Sequence, residues 1–368
     1  MPQERNEATL QRNASRLPTY LFIVGTHTGL IFFLYAHATL RTTAYAHWQP
    51  AIVYICIEAL CLFLLLAGLA RVPGKDFADL FIPLGKVASL LLLAPLVAYF
   101  LLVSLMVMRS FAELVRIMFV ANTPMWALLA LLVLLFMFGA FMGGDSILRA
   151  NVVFSALFLP VLLFALSSCF KNADFHYLYP LWNSSFDFLR KQEFYSSMFV
   201  VSPFLVIGML PPLSPLRPRG VFLTMLPIWA LCLIALHIPI LVFGTPAARL
   251  LVFPFLATMD SVSLLWLVFD RVTLFYAVSI MAFVSVHASF LLWSIGRIVH
   301  KRFPKCPEKP VIAAAAVALF VWGLMIPGWD WLQNMLFWET WLRILAVFAI
   351  PAAVLWRGLI LSRRRAAS

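Results

Sequence analysis

Phe22-Ile23-Val24-Gly25-Thr26-His27-Thr28-Gly29 puts five helix-weak or polar residues, Gly25 to Gly29, inside an otherwise apolar run that continues as Leu30 to Tyr35. Glycine pays backbone entropy in a helix, so this stretch predicts local unwinding between Gly25 and Gly29. A second run is interrupted by Ser202-Pro203 and then by Gly208-Met209-Leu210-Pro211-Pro212. Proline removes a backbone donor and clashes with the preceding turn, which makes unwinding cheap there too. At membrane depth, freed N–H and C=O groups are tolerated only where they face protein or a polar cavity. Two interrupted segments at corresponding places in two halves of a chain point to a midplane site between inverted repeats. Free N–H groups at a broken helix end receive a carboxylate, and freed carbonyls receive an ammonium group or cation, which together match an amino acid. The competing reading is mechanical: glycines let helices approach closely and prolines kink them.

Outward from these runs, the composition demands lipid as the solvent. Of 368 residues, 64% are hydrophobic and 11% charged, too few charges to coat a soluble globule. Stretches exceeding the roughly 20 apolar residues of a membrane helix recur, and their apolar residues are consecutive rather than alternating, which excludes a barrel. Hydropathy and charged punctuation place spans at 18–40, 49–70, 81–108, 122–143 and 148–167, then 196–214, 220–243, 271–298, 310–327 and 338–361. The expected fold is therefore all-α integral membrane, about ten transmembrane helices, a 5+5 inverted repeat with helices 1 and 6 broken. Residues 18–361 make one transmembrane domain, with a tail at 1–17 and a basic tail at 362–368. Nothing at the start resembles a cleavable signal peptide. The segment 246–263 reads as a re-entrant or interfacial helix or as a loop, and the aromatic connection 168–195 reads as packed on the membrane surface or on a partner.

Lys and Arg collect on one set of connections, including Arg5, Arg12, Arg16, Arg71, Lys75, Arg149, Arg217, Arg219, Lys301 and Arg302. Fewer lie on the other set: Arg41, Arg109, Arg116, Lys171, Arg190, Lys191 and Arg249. The asymmetry places both termini in the cytoplasm, and the net charge of +12 suits an anionic lipid surface there. No soluble basic domain exists to hold nucleic acid. Nucleotide, metal and nucleophile motifs are absent, so no catalytic residue, cofactor or metal is expected. The five cysteines lack metal-ligand spacing and read as small packing residues. Ionisable residues inside spans are functional candidates by default. Glu58, mid-span with no partner within four residues, reads as protonated, facing the bundle interior, or lining a polar pathway. His27 reads either as a ligand contact or pH sensor or as a neutral ring bonded to freed backbone. His37, His237 and His287 read as core or interfacial residues.

Three motifs carry a resemblance. Gly25-Thr26-His27-Thr28-Gly29 after Phe22-Ile23-Val24 is one. Thr123-Pro124-Met125-Trp126 running on to Gly139, Gly143-Gly144-Asp145 and Arg149 is the second. Phe253-Pro254 followed by Trp266-Leu267-Val268-Phe269-Asp270-Arg271 is the third. Together they resemble the spore germination receptor B-subunit family, the endospore germination permeases of the amino acid-polyamine-organocation superfamily. The chain departs from that family in lacking its proline near the end of the first helix and in its version of the cluster before the eighth. The resemblance implies a subunit of the spore inner membrane, beside germinant receptor A and C subunits, that binds a small-molecule germinant such as an amino acid and triggers germination. It also implies that helices 3 and 8 flank the broken pair. This makes Pro95, Tyr99, Thr273, Tyr276 and Ser279 further candidates, alongside Gly25, Thr26, His27, Thr28, Gly29 and Gly208. A freestanding amino acid or amine permease satisfies the same residues, and a membrane enzyme or assembly scaffold is the remaining class.

Overall fold

The computed structural model describes residues 16–210, 217–262 and 272–367. Pro211, Pro212 and the cluster from Trp266 to Arg271 lie outside the described residues, as does the tail before residue 16. Described secondary structure is helical throughout. Among the described residues, eight helices are long and apolar enough to cross a membrane: α1 Leu17–Leu40, α2 Trp48–Leu69, α4 Lys86–Met118, α6 Gly144–Cys169, α8 Pro218–Leu250, α10 Val272–Arg302, α11 Glu308–Met325 and α13 Thr340–Arg363. The apolar α5, Met125–Phe141, is 17 residues long. Short helices α3 Phe77–Phe81, α7 Gln192–Ser196, α9 Pro254–Asp260 and α12 Trp329–Trp338 lie between them.

The tenth expected crossing is a 3₁₀ segment, Ser197–Met209, buried at every residue. A 3₁₀ helix rises about 2.0 Å per residue, so 13 residues reach about 26 Å, most of a hydrocarbon core. Such long 3₁₀ runs are uncommon, and burial on all sides holds this one.

Helix 1 is interrupted, but not where its glycines predict. Gly25, Thr26, His27, Thr28 and Gly29 lie in regular α-helix, and the irregularity falls at Ile31–Tyr35, which is π-helical. The expected unwinding at Gly25 to Gly29 is thus corrected, as is the reading of Leu30 to Tyr35 as plain helix. The cause is packing. A β-carbon on Gly29 would sit 3.2 Å from the α10 backbone at Val284, and one on Gly25 would sit 2.4 Å from Asn151 Oδ1 of α6. The glycines serve close approach, and the extra π residue absorbs the register change one turn later. Gly208 is likewise a packing residue, because the Phe77 ring occupies the place of its missing side chain.

α10 is the central post, packed on α1, α4, α5, α6 and α11. α2 packs on the 3₁₀ segment as α8 packs on α1, the reciprocal relation an inverted repeat requires. Peripheral helices turn large apolar side chains outward, among them Leu131, Leu134, Phe138, Val153, Leu157, Val317 and Val321. In water such a surface would aggregate; in lipid it is solvated. This is an integral membrane protein.

Two boundary expectations change. The third span runs to Met118 rather than 108, so Arg109 and Arg116 belong to α4 and not to a connection. Both donate to Glu113 at 2.5 Å, and Arg109 also donates to the Ile326 carbonyl at 3.2 Å. Just ahead of the stretch 246–263, α8 kinks at Gly244, whose φ of 73° favours glycine, and the largely buried α9 lies within the stretch. Connection 168–195 folds over α2 through Trp48–Trp182 and Tyr54–Phe194 ring contacts.

Candidate functional site

The two irregular segments meet. Leu30 and Leu34 of α1, Phe199 and Ser202 of the 3₁₀ segment, Val103, Met106 and Val107 of α4, and Leu336 and Glu339 enclose a cavity of about 20 Å³. That is room for one water and too little for an amino acid in this conformation.

Unpaired polar groups surround it. Tyr99 is buried and its hydroxyl makes no hydrogen bond, although Ser202, Glu339 and Arg343 lie close by. Glu339 and Arg343 are fully enclosed and pair with each other one turn apart on the same helical stretch. Arg343 also donates to the carbonyls of Ser196 and of Leu336, the latter at 3.2 Å, and its guanidinium lies 5.8 Å from the Phe199 ring centre. Yet Glu339 Oε2 and Arg343 Nε have no partner. One unused acceptor and one unused donor on a neutral pair match the two ends of a zwitterion.

Sequence reasoning misses this pair. The rule that singles out Glu58 applies equally to Glu339 and Arg343, but their i, i+4 spacing at the edge of the last span reads as an ordinary helical ion pair.

Glu58 does not lack partners. Its Oε1 lies 3.1 Å from His27 Nε2, and its Oε2 accepts from Trp229 Nε1 at 2.8 Å, tying α2 to α1 and α8. His27 Nδ1 donates to the Ile23 carbonyl at 2.7 Å. Thr26 is spent locally on the Ile23 carbonyl, whereas the Thr28 hydroxyl is unpaired. Tyr276 donates to the Phe32 carbonyl, filling an acceptor inside the π segment, and Thr273 donates to Asp260 at 3.2 Å. The structure therefore brings Tyr99 next to the cavity-lining Ser202 and Glu339, Tyr276 to the break, and His27 to Glu58. Thr273, Gly25, Gly29 and Gly208 it assigns to packing and to helix ends. His37 donates to the Leu251 carbonyl at 2.9 Å, and His237 to its own helix at Leu233.

At the far end of α10, Arg297 and Lys301 donate to Asp76 at 2.8 and 2.6 Å, and Lys301 to Asp79 at 2.8 Å. Burial pushes the Asp76 carboxyl up, but those cations and the Asp79 backbone N–H outweigh it and hold it below the usual carboxylate range.

Where α1 meets α2, His47 lines a cavity of about 230 Å³ with Tyr45, Trp48, Tyr177, Tyr179 and His237. Burial, with His237 and Arg249 nearby, lowers its pKa from 6.5 to about 4. A neutral buried imidazole stabilises the fold fully above pH 6.5, the unfolded value, and that contribution is lost as pH falls toward 4. The expected loss is about 2 kcal/mol by about pH 5, from a linkage of about 1.36 kcal/mol per pH unit. Thermal midpoints of the wild type should fall over that window, and His47→Gln should flatten the fall.

A family profile described as spore germination protein matches residues 17–327. The chain belongs to the spore germination protein family. No curated protein sequence matches it. Among solved structures it is similar to MhsT in complex with L-phenylalanine, with a TM-score of 0.60 and 15% identity over 94% of this chain and 98% of that one. It is also similar to Mhp1, a nucleobase-cation-symport-1 family transporter in a closed conformation with bromovinylhydantoin bound. There the TM-score is 0.54 with 16% identity, over 87% of this chain and 74% of that one. At such identities the likeness establishes a shared transporter fold.

Proposed function

We propose that this chain is the transporter-like membrane subunit of a spore germinant receptor, binding a small zwitterion, such as an amino acid, between α1 and the 3₁₀ segment. The observation that carries the reading is the meeting of the two irregular segments around a cavity lined by Ser202 and Glu339, with Tyr99 and the half-used Arg343 next to those two residues. A ligand ammonium would take Glu339 Oε2 and the ligand carboxylate would take Arg343 Nε–H and the Tyr99 hydroxyl. His27, Thr28 and Tyr276 would set the position of α1, with Gly25, Thr26, Gly29, Gly208 and Thr273 keeping the neighbouring helices close, and Glu58 would form a polar pathway beside them. MhsT, which holds L-phenylalanine, supports the ligand class through its shared fold. Because the cavity is too small for an amino acid, binding requires α1 and the 3₁₀ segment to separate, and that movement is the signal partner subunits of the A and C kind would read. The location that goes with this role is the spore inner membrane, with both termini cytoplasmic.

The test is ligand-induced thermal stabilisation of the purified chain against a panel of amino acids, since a ligand that binds the folded state raises apparent stability. Tyr99→Phe removes a hydroxyl that has no partner. It should leave the unliganded midpoint unchanged or slightly raised, because burying an unpaired polar group is unfavourable. It should cut the ligand-induced shift, with affinity falling about tenfold for one lost hydrogen bond. No shift with any amino acid, partner subunits included, would refute the site; uptake by the chain alone in vesicles would make it a permease.

A further inference from the structure

We infer that His27 and Glu58 form a proton-exchange site whose single shared proton locks α1 to α2 and α8; only its link to a ligand rests on the reading above.

The proton count follows from the partners. The Ile23 carbonyl can only accept, so His27 Nδ1 carries a hydrogen. The Trp229 indole can only donate, so Glu58 Oε2 accepts. Between His27 Nε2 and Glu58 Oε1, 3.1 Å apart, one proton must therefore lie. It sits on the acid, donating to a neutral imidazole, or on the imidazolium, donating to a carboxylate. Both forms are neutral overall and keep the same heavy-atom positions. Removing that proton sets a lone pair against a carboxylate; adding a second sets a donor against a donor. Either change breaks the tie between α1 and α2, three residues before the cavity-lining Leu30.

The surroundings favour a proton over a metal cation. Each carboxylate oxygen is already engaged by a ring nitrogen, so a sodium ion would have to displace His27 or Trp229. The titratable groups facing the pair are Cys61 on α2, Cys232 on α8 and His287 on α10, with Tyr35 of α1 set against Cys232. α6 brings the neutral Asn151 against Gly25, and the 3₁₀ segment carries no titratable residue. No fixed cation among these compensates a lone Glu58 carboxylate. His287 is buried with its Nδ1 unpaired and lies within electrostatic reach of His27.

The experiment needs no ligand, so its outcome is separable from that of the binding site. The full chain, reconstituted in phosphatidylcholine vesicles, is stepped through pH and followed by infrared difference spectroscopy. A protonated-carboxyl band should appear and vanish reversibly, and it should be missing in Glu58→Gln. The carbonyl of the substituted amide can still accept from Trp229 and its NH₂ can still donate to His27, so this variant should keep the wild-type melting midpoint. In His27→Gln the band should remain, because a neutral amide cannot take the proton from Glu58. A wild type with no Glu58-dependent band, or one stabilised by sodium over potassium chloride in a way Glu58→Gln loses, would overturn the inference.

Discussion

Arg343→Ala should lower the stability of the folded chain by about 3–5 kcal/mol, the cost of breaking a buried ion pair by removing one partner. Arg343 has no exposed surface, and it serves Glu339 together with the carbonyls of Ser196 and Leu336. Alanine would strand a carboxylate and two carbonyls in a largely apolar interior. It would also release the start of the 3₁₀ segment, which Arg343 holds through Ser196 and through its contact with the Phe199 ring. Arg343→Lys should recover only part of the loss, since an ammonium on a flexible stem cannot serve several fixed acceptors as a planar guanidinium does. Pairing Arg343→Met with Glu339→Gln removes both charges and should be milder than Arg343→Ala. Thermal unfolding of the purified chain in detergent decides it. If Arg343→Ala melts with the wild type, the pair does not hold these segments together.

Gly68→Leu should cost at least about 3 kcal/mol, the upper end of what overpacking produces. A β-carbon at Gly68 would stand 2.7 Å from the carbonyl of Val354 and the amide of Leu355, and one at Gly358 would stand 2.7 Å from the Gly68 carbonyl. The backbones of α2 and α13 thus touch, as small residues permit in membrane helix pairs. Backbone cannot swing aside as a flexible side chain can, so the helices must part. The same melting assay separates this variant from Ala67→Leu, one residue along the same helix. Equal midpoints for the two would show that the crossing does not depend on Gly68.

Helical class and membrane crossing were legible because each crossing consumes about 20 consecutive apolar residues, a local property of sequence. The presence of a break in each half was legible as well, but its character was not. Gly25 and Gly29 carry the same sequence signature whether a helix unwinds or a neighbour approaches, and what decides is Phe283 and Val284, far along the chain on α10. The π turn at Ile31–Tyr35 has no glycine or proline to announce it; it exists because Tyr276 of α10 takes the Phe32 carbonyl and the packing on either side of it demands a shift. Glu58 was visible as an ionisable residue inside a span, while its partners His27 and Trp229 stand 31 and 171 positions away. Asp76 and Asp79 form a local capping box, but their cations come from α10.

Sequence alone determined that the chain lies in a membrane, that it is helical, and that it crosses about ten times, because lipid requires every crossing to satisfy its own backbone with apolar side chains outside. Tertiary structure alone decided which polar groups find partners and which stay unused beside the cavity. Pairing depends on side chains brought together from distant helices, and no spacing along the chain encodes the distance between two helices in space.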